Sequence, residues 1–201
     1  MEIITDVDGV LLNFDISFDV YMSKKGYGKV PNSDHIFNLS KKYRLPEEKL
    51  NNLVIEFANS ENFEKLHALR DSIDGIKTLS KHGAKFIAVT SCGNSSFTKK
   101  ARIRNLESTF GNVFNDIICL PLMSRKNEVL EKWKGSKKLW IEDHYNNAID
   151  GSALGLRSVI VDHPYNKRDL DSKYYIYRTS FKNPWNSILE YSSYIQDYAN
   201  E

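Results

Sequence analysis

Asp6 and Asp8 stand two residues apart at the end of an apolar run, Ile3–Val7, and Gly9 follows them. In an extended segment a spacing of two puts both carboxylates on one side, with Val7 pointing the other way. Two acids at a strand end are costly unless a cation neutralises them, and Mg²⁺ is the natural partner of such oxygen ligands. Gly9 allows a sharp backbone departure there. A solvated strand–loop junction would give the same residues, so this signal gains meaning only from its neighbours.

Three further positions supply them. Thr90 and Ser91 close a second apolar run, Phe86–Thr90, and offer a hydroxyl and successive N–H groups to an anionic oxygen. Ser and Thr also serve as ordinary turn and cap residues. Lys126 opens a helical segment, where the helix dipole disfavours a cation; a phosphate between the lysine and the crevice would reverse that. Glu142 and Asp143 end the run Leu139–Glu142 and invite a metal, although a solvated turn would also accommodate them. Ligands of open parallel sheets sit beyond the carboxyl ends of the strands, where strand order reverses, so all these positions would converge on one crevice.

Positioning them requires a sheet. Five runs read as strands buried on both faces: Ile3–Val7, Phe86–Thr90, Ile117–Leu120, Leu139–Glu142 and Ser158–Val161. Helical segments lie between the later ones, at 95–109, 126–134 and 146–154, and Ser72–His82 precedes the second strand with Ile73, Ile76 and Leu79 on its apolar face. This alternation predicts an α/β fold, a Rossmann-like three-layer parallel sheet with right-handed crossovers. The first two strands are far apart, and the sequence between them reads as helices at 14–25, 33–43, 46–59 and 60–66, with Ser33 and Ser60 as N-caps. The expected division is a sheet core of residues 1–14 and 71–201 with a small helical insertion, residues 15–70, after strand 1. A final helix is expected over 184–198.

Composition narrows the classes. With 41% apolar and 27% charged residues, ten Gly and five Pro, the chain reads as globular rather than disordered. A net charge of +2 gives no general argument for a nucleic-acid or membrane-surface protein. No apolar stretch is long enough to cross a bilayer and no secretory leader is visible, so a cytoplasmic location is expected. The two cysteines, Cys92 and Cys119, lack CxxC spacing and read as buried small residues.

The order Asp6-Val7-Asp8-Gly9-Val10, a strand ending in Thr90, then Lys126, then Glu142-Asp143 resembles the haloacid dehalogenase superfamily across essentially the whole chain. Within it, residues 6–14, Val89-Thr90-Ser91, Arg125-Lys126-Asn127, His163-Pro164-Tyr165-Asn166 and the Pro184-Trp185 stretch resemble the 5'(3')-deoxyribonucleotidases. The resemblance implies a Mg²⁺-dependent phosphate monoester hydrolase with Asp6 as nucleophile and Asp8 as general acid and base. It places the metal on Asp6, the Asp8 carbonyl and Asp143, and the phosphate on Thr90, Ser91 and Lys126. It makes Phe14, Phe18 and Phe63 candidates for a base pocket, though cap core would also explain these rings. The implied substrate is a deoxynucleoside monophosphate and the implied assembly a homodimer. Glu142 stands where the family usually has aspartate, and reads as a support for Lys126; Cys92 stands where the nucleotidases tend to have proline.

Rival readings remain. Lys99, Lys100, Arg102 and Arg104 form a basic cluster that would suit nucleic acid ends in a polynucleotide 3'-phosphatase, or simply a solvated helix face. Other small-metabolite phosphatases of the superfamily, and a catalytically silent binding module of the same fold, complete the alternatives.

Overall fold

The computed structural model describes residues 1–170 and 173–199. Six strands, β1 (Glu2–Thr5), β2 (Lys85–Thr90), β3 (Phe114–Cys119), β4 (Leu139–Glu142), β5 (Arg157–Ile160) and β6 (Ile176–Arg178), form one parallel sheet in the order β3-β2-β1-β4-β5-β6. Order reverses between β1 and β4. The expected parallel sheet is therefore present, with one strand more than the sequence suggests.

Alternation along the strands assigns the two faces. Ile3, Phe86, Ala88, Leu139 and Ile141 join one core with α4 (Ser72–Lys81), α5 (Ser96–Phe110) and α8 (Pro184–Ala199). Ile4, Ile87, Val89 and Trp140 join another with α6 (Asn127–Leu130). On that second face α7 (Tyr145–Ala153) lies so close that a Cβ at Gly151 would sit 2.3 Å from Trp140 Cδ1. Helices on both faces account for the near-continuous apolar runs. No described helix is long and apolar enough to cross a membrane.

The insert after β1 contains α1 (Phe14–Lys24), α2 (Leu39–Tyr43), α3 (Glu47–Ala58) and a 3-10 turn, Glu61–Lys65. Its centre is aromatic: Phe14, Phe18, Tyr21, Tyr43, Phe57 and Phe63 pack with ring centroids 5.1 to 6.1 Å apart. Chain entry and exit lie side by side, with Asn13 N donating to His67 O at 2.8 Å and Leu69 N to Leu11 O at 2.8 Å.

Several expectations need correction. The strand expected to run to Val7 stops at Thr5, because Val7 O accepts the Leu11 and Leu12 amides at 2.8 and 2.9 Å and turns the chain out of the ladder. The helix expected over 33–43 forms only at Leu39–Tyr43; Ser33 is no N-cap, its hydroxyl donating instead to Val30 O at 2.6 Å. Ile73 is exposed rather than core, because Gly75 takes the inward position on α4 beneath Trp185. Strand β6 is a short, half-buried edge.

Candidate active site

The reversal of strand order puts the ends of β1 and β4 side by side, and Asp6 N, one residue past β1, donates to Ile141 O at 2.8 Å. Asp6 and Asp143 therefore face each other across the switch point. Lys126, immediately before α6, is buried and reaches both strand ends: its Nζ lies 2.6 Å from Asp6 Oδ1 and 2.8 Å from Glu142 Oε2. Ligand atoms of Asp6, Glu142 and Asp143 lie within 4.8 Å of one another.

One lysine against three buried carboxylates leaves an excess of negative charge in a poorly solvated place. Burial, then the charge of Glu142, pushes the Asp6 carboxyl up to about 8. Burial, then Asp6, pushes Asp143 up to about 7. Burial alone would lower Lys126, but the charges of Asp6 and Glu142 outweigh it and hold the ammonium protonated. A divalent cation bound by oxygen would relieve this repulsion, so the donor set fits Mg²⁺.

Glu142 is committed elsewhere. Its Oε1 accepts the amides of Asp143 and His144 at 3.1 and 2.9 Å, and its Oε2 accepts Lys126 and Asn147 at 2.8 and 3.2 Å. With each oxygen used twice, Glu142 holds Lys126 and the β4 turn. Asp143 is fixed by Tyr165, whose hydroxyl donates to Oδ2 at 2.5 Å, and by Asn166, whose amide donates to the Asp143 carbonyl at 2.8 Å. His163 Nε2 donates to Gly9 O at 2.7 Å, and its ring stacks on Tyr165 at 4.8 Å.

Thr90, at the end of β2 beside β1, is buried, and its Oγ1 has no protein partner. A buried hydroxyl with no partner carries an energetic cost that an anionic oxygen would remove. Ser91 is half-buried; its hydroxyl donates to Ser124 O at 2.9 Å and ties together the loops after β2 and β3.

Asp8 is not beside Lys126. Both of its carboxylate oxygens accept from Arg102 Nη2, at 2.8 and 2.7 Å. Arg102 is fully buried on α5 and its guanidinium lies 4.2 Å from the Phe63 ring centroid. The basic cluster is thus not a solvated face at one of its four members, Arg102; Arg104 is exposed and pairs with Glu64 on the surface, at 2.6 and 2.7 Å. In the structure Arg102 lies on the buried stripe of α5 with Thr98, Ala101, Asn105 and Leu106, at i, i+3, i+4, i+7 and i+8; three of these five are polar, so apolar periodicity does not reveal it.

Of the rings considered for a base pocket, Phe18 and Phe63 are 0% and 1% exposed, with their faces taken by Phe14, Tyr43, Phe57 and Arg102. They are core of the insert. Phe14 is half-buried. A ring not singled out in the sequence, Phe37, is 50% exposed and reaches from the insert to His144 and Tyr165, at 4.9 and 5.5 Å. Isolated in a polar loop, it carries no periodic signal.

No family model and no curated protein matches this sequence. Solved structures do. A haloacid dehalogenase-like family hydrolase from Streptococcus pneumoniae aligns with a TM-score of 0.66 over 94% of this chain and 97% of its own, at 13% identity. An L-2-haloacid dehalogenase aligns with a TM-score of 0.59 over 93% of this chain and 98% of its own, at 14% identity. D,D-heptose 1,7-bisphosphate phosphatase from B. bronchiseptica, solved with magnesium and phosphate, aligns with a TM-score of 0.58 over 98% of both chains, at 11% identity. The chain has the haloacid dehalogenase-like α/β fold.

Proposed function

We propose that this chain is a Mg²⁺-dependent phosphate monoester hydrolase that works through an aspartyl-phosphate on Asp6. The observation that carries this reading is the buried cluster of Asp6, Lys126 and Asp143 at the strand-order reversal, with a partnerless Thr90 hydroxyl at the end of the next strand. Asp6 attacks phosphorus in line, Asp8 gives a proton to the leaving oxygen, and Asp8 then takes a proton from the water that cleaves the acyl phosphate. Thr90, the Ser91 amide and Lys126 hold the phosphoryl oxygens. Asp6, Asp143 and the Asp8 carbonyl would hold Mg²⁺, which when bound offsets the charge of carboxylates and phosphate. The insert, residues 15–70, acts as a cap that excludes water and reads the leaving group.

The proposed substrate is a deoxynucleoside monophosphate, with Phe14 beside the Asp6–Asp8 turn as the ring that meets the base. Phe37, packed on His144 and Tyr165 beside Asp143, supports a second aromatic contact. Polynucleotide ends fit less well, because Arg102 and Arg104 are paired with Asp8 and Glu64. The test is phosphate release from dUMP, dTMP and 4-nitrophenyl phosphate, with and without Mg²⁺. Deoxynucleotide turnover lost with chelator and in Asp6→Asn supports the whole reading. Turnover of the aryl ester alone keeps the chemistry and removes the nucleotide. The absence of any Asp6-dependent turnover overturns the hydrolase.

A further inference from the structure

Arg102 is an expensive residue for stability alone. Its side chain is fully buried, and its Nε and Nη1 have no hydrogen-bond partner. A buried guanidinium satisfied only in part is a poorer core element than a leucine or methionine of similar volume. Its one ion pair is with Asp8, both carboxylate oxygens accepting from a single nitrogen, while the Phe63 ring and the Cys92 thiol are its other neighbours.

We propose that Arg102 positions the Asp8 carboxylate for the leaving-group step, through an ion pair whose geometry is set jointly by α5 and the insert. The proposal rests on the hydrolase reading above, in which Asp8 handles the proton. Arg102 touches neither phosphate nor Asp6 in this role; it acts through Asp8.

The anchoring supports the assignment. The Phe63 ring of the insert backs the guanidinium at 4.2 Å. On either side of Arg102, α5 is fastened to the same stretch of insert. Thr98 Oγ1 donates to Ala58 O at 3.2 Å, Asn105 Nδ2 donates to Leu66 O at 3.1 Å, and Arg104 grips Glu64. Asp8 is about a quarter exposed and lies on a turn, so without Arg102 its carboxylate would have freedom to rotate. Proton transfer needs the donor within hydrogen-bond reach of the leaving oxygen, and small misplacements are costly.

Leaving-group chemistry makes the role testable. An alkoxide must be protonated as the P–O bond breaks, by an Asp8 carboxyl that has first taken its proton from solvent and that returns to the Arg102-paired carboxylate as it gives the proton up; 4-nitrophenolate departs without help. In Arg102→Gln, kcat/KM for an alkyl monophosphate should fall about 100-fold and that for 4-nitrophenyl phosphate less than about 10-fold, with Arg102→Lys recovering part of the loss. In an Asp8→Asn background, measured on the aryl ester, Arg102→Gln should cost less than about 2-fold further, because the residue it acts through is gone. Equal losses on both esters, or a further loss of more than about 2-fold in the Asp8→Asn background, would overturn the positioning role. If Arg102→Gln does not fold, Arg102→Lys alone and combined with Asp8→Asn is read in the same way. Wild-type turnover lost in Asp6→Asn confirms the hydrolase premise separately, so failure of the premise and failure of the Arg102 role give different results.

Discussion

Gly9 and Asp143 interlock: a Cβ built on Gly9 would lie 2.3 Å from Asp143 Oδ2 and 2.9 Å from the Tyr165 hydroxyl that bonds it. The glycine also sits at φ +78°, where any side chain is strained. Only a residue without a side chain lets the turn after β1 pass under the Asp143 carboxylate. Gly9→Ala should therefore displace Asp143 and lower kcat/KM at least about 10-fold at fixed Mg²⁺, with about 1–2 kcal/mol of backbone strain as a minimum stability cost. Activity within twofold of wild type would show that Asp143 can move without consequence.

Tyr165→Phe deletes the hydrogen bond to Asp143 Oδ2 and little else in volume. Groups that orient a metal ligand commonly change affinity about 10-fold or more. The Mg²⁺ concentration giving half-maximal phosphate release should rise by that amount, while activity at saturating Mg²⁺ recovers much of its wild-type level. An unchanged Mg²⁺ titration would remove Tyr165 from the metal site.

Thr90→Val separates stability from function. The hydroxyl is buried without a protein partner, so its isosteric removal should leave the unfolding free energy from urea titration unchanged or raise it by up to about 1 kcal/mol. Turnover should nevertheless fall at least about 10-fold, because a phosphoryl oxygen loses a donor. A destabilised protein with intact turnover would reverse the interpretation of Thr90.

Stability against pH should carry the signature of the acidic cluster. An acid whose folded pKa lies above its unfolded one keeps a proton longer when folded, so stability is lost as pH rises through the folded value. For Asp6, near 8 when folded, the loss is expected up to and through pH 8 in protein stripped of metal. His144, His163 and Cys92 are shifted downward and act in the opposite sense, so the quantity to measure is the difference in slope between wild type and Asp6→Asn. Urea midpoints from pH 6 to 9 in EDTA should decline more steeply for wild type, and saturating Mg²⁺ should abolish the difference. Parallel slopes in EDTA would mean that Asp6 ionises as an ordinary carboxyl.

Phe63→Leu keeps the apolar volume of the insert roughly filled but removes the ring beneath Arg102. Packing and cation–π losses together should cost about 1–3 kcal/mol by urea denaturation. If the ring holds the guanidinium in place, the preference for aryl over alkyl esters should rise as in Arg102→Gln, to a smaller extent. A loss of stability with no change in that preference would confine Phe63 to packing.

Strands legible in full were those whose apolar runs are unbroken, because a sheet covered on both faces demands such runs; edge strand β3, expected at Ile117–Leu120, begins instead at Phe114, its first half masked by Asn115 and Asp116. Ile176–Arg178 escaped since a three-residue edge strand needs no such run. Asp6, Thr90, Lys126, Glu142 and Asp143 stood out as polar residues at strand ends or helix starts, a property of single positions. Arg102 and Tyr165 did not, because their meaning lies in contacts across 94 and 22 residues of sequence. Ile73 misled for a related reason: its helical spacing is correct, but Trp185, far along the chain, claims the face through Gly75.

The narrow junction of Asn13 with His67 and Leu11 with Leu69 makes the insert a cassette in topological terms. Because the chain leaves and re-enters the sheet domain at one place, a helical unit of different length or composition could be spliced there without changing the path of any strand. The fastenings along α5 set the cost of such an exchange: a replacement must also supply an aromatic ring where Phe63 stands. Recombination at this junction, with that ring retained, would exchange the insert while leaving Asp6, Thr90, Lys126 and Asp143 in place on the sheet.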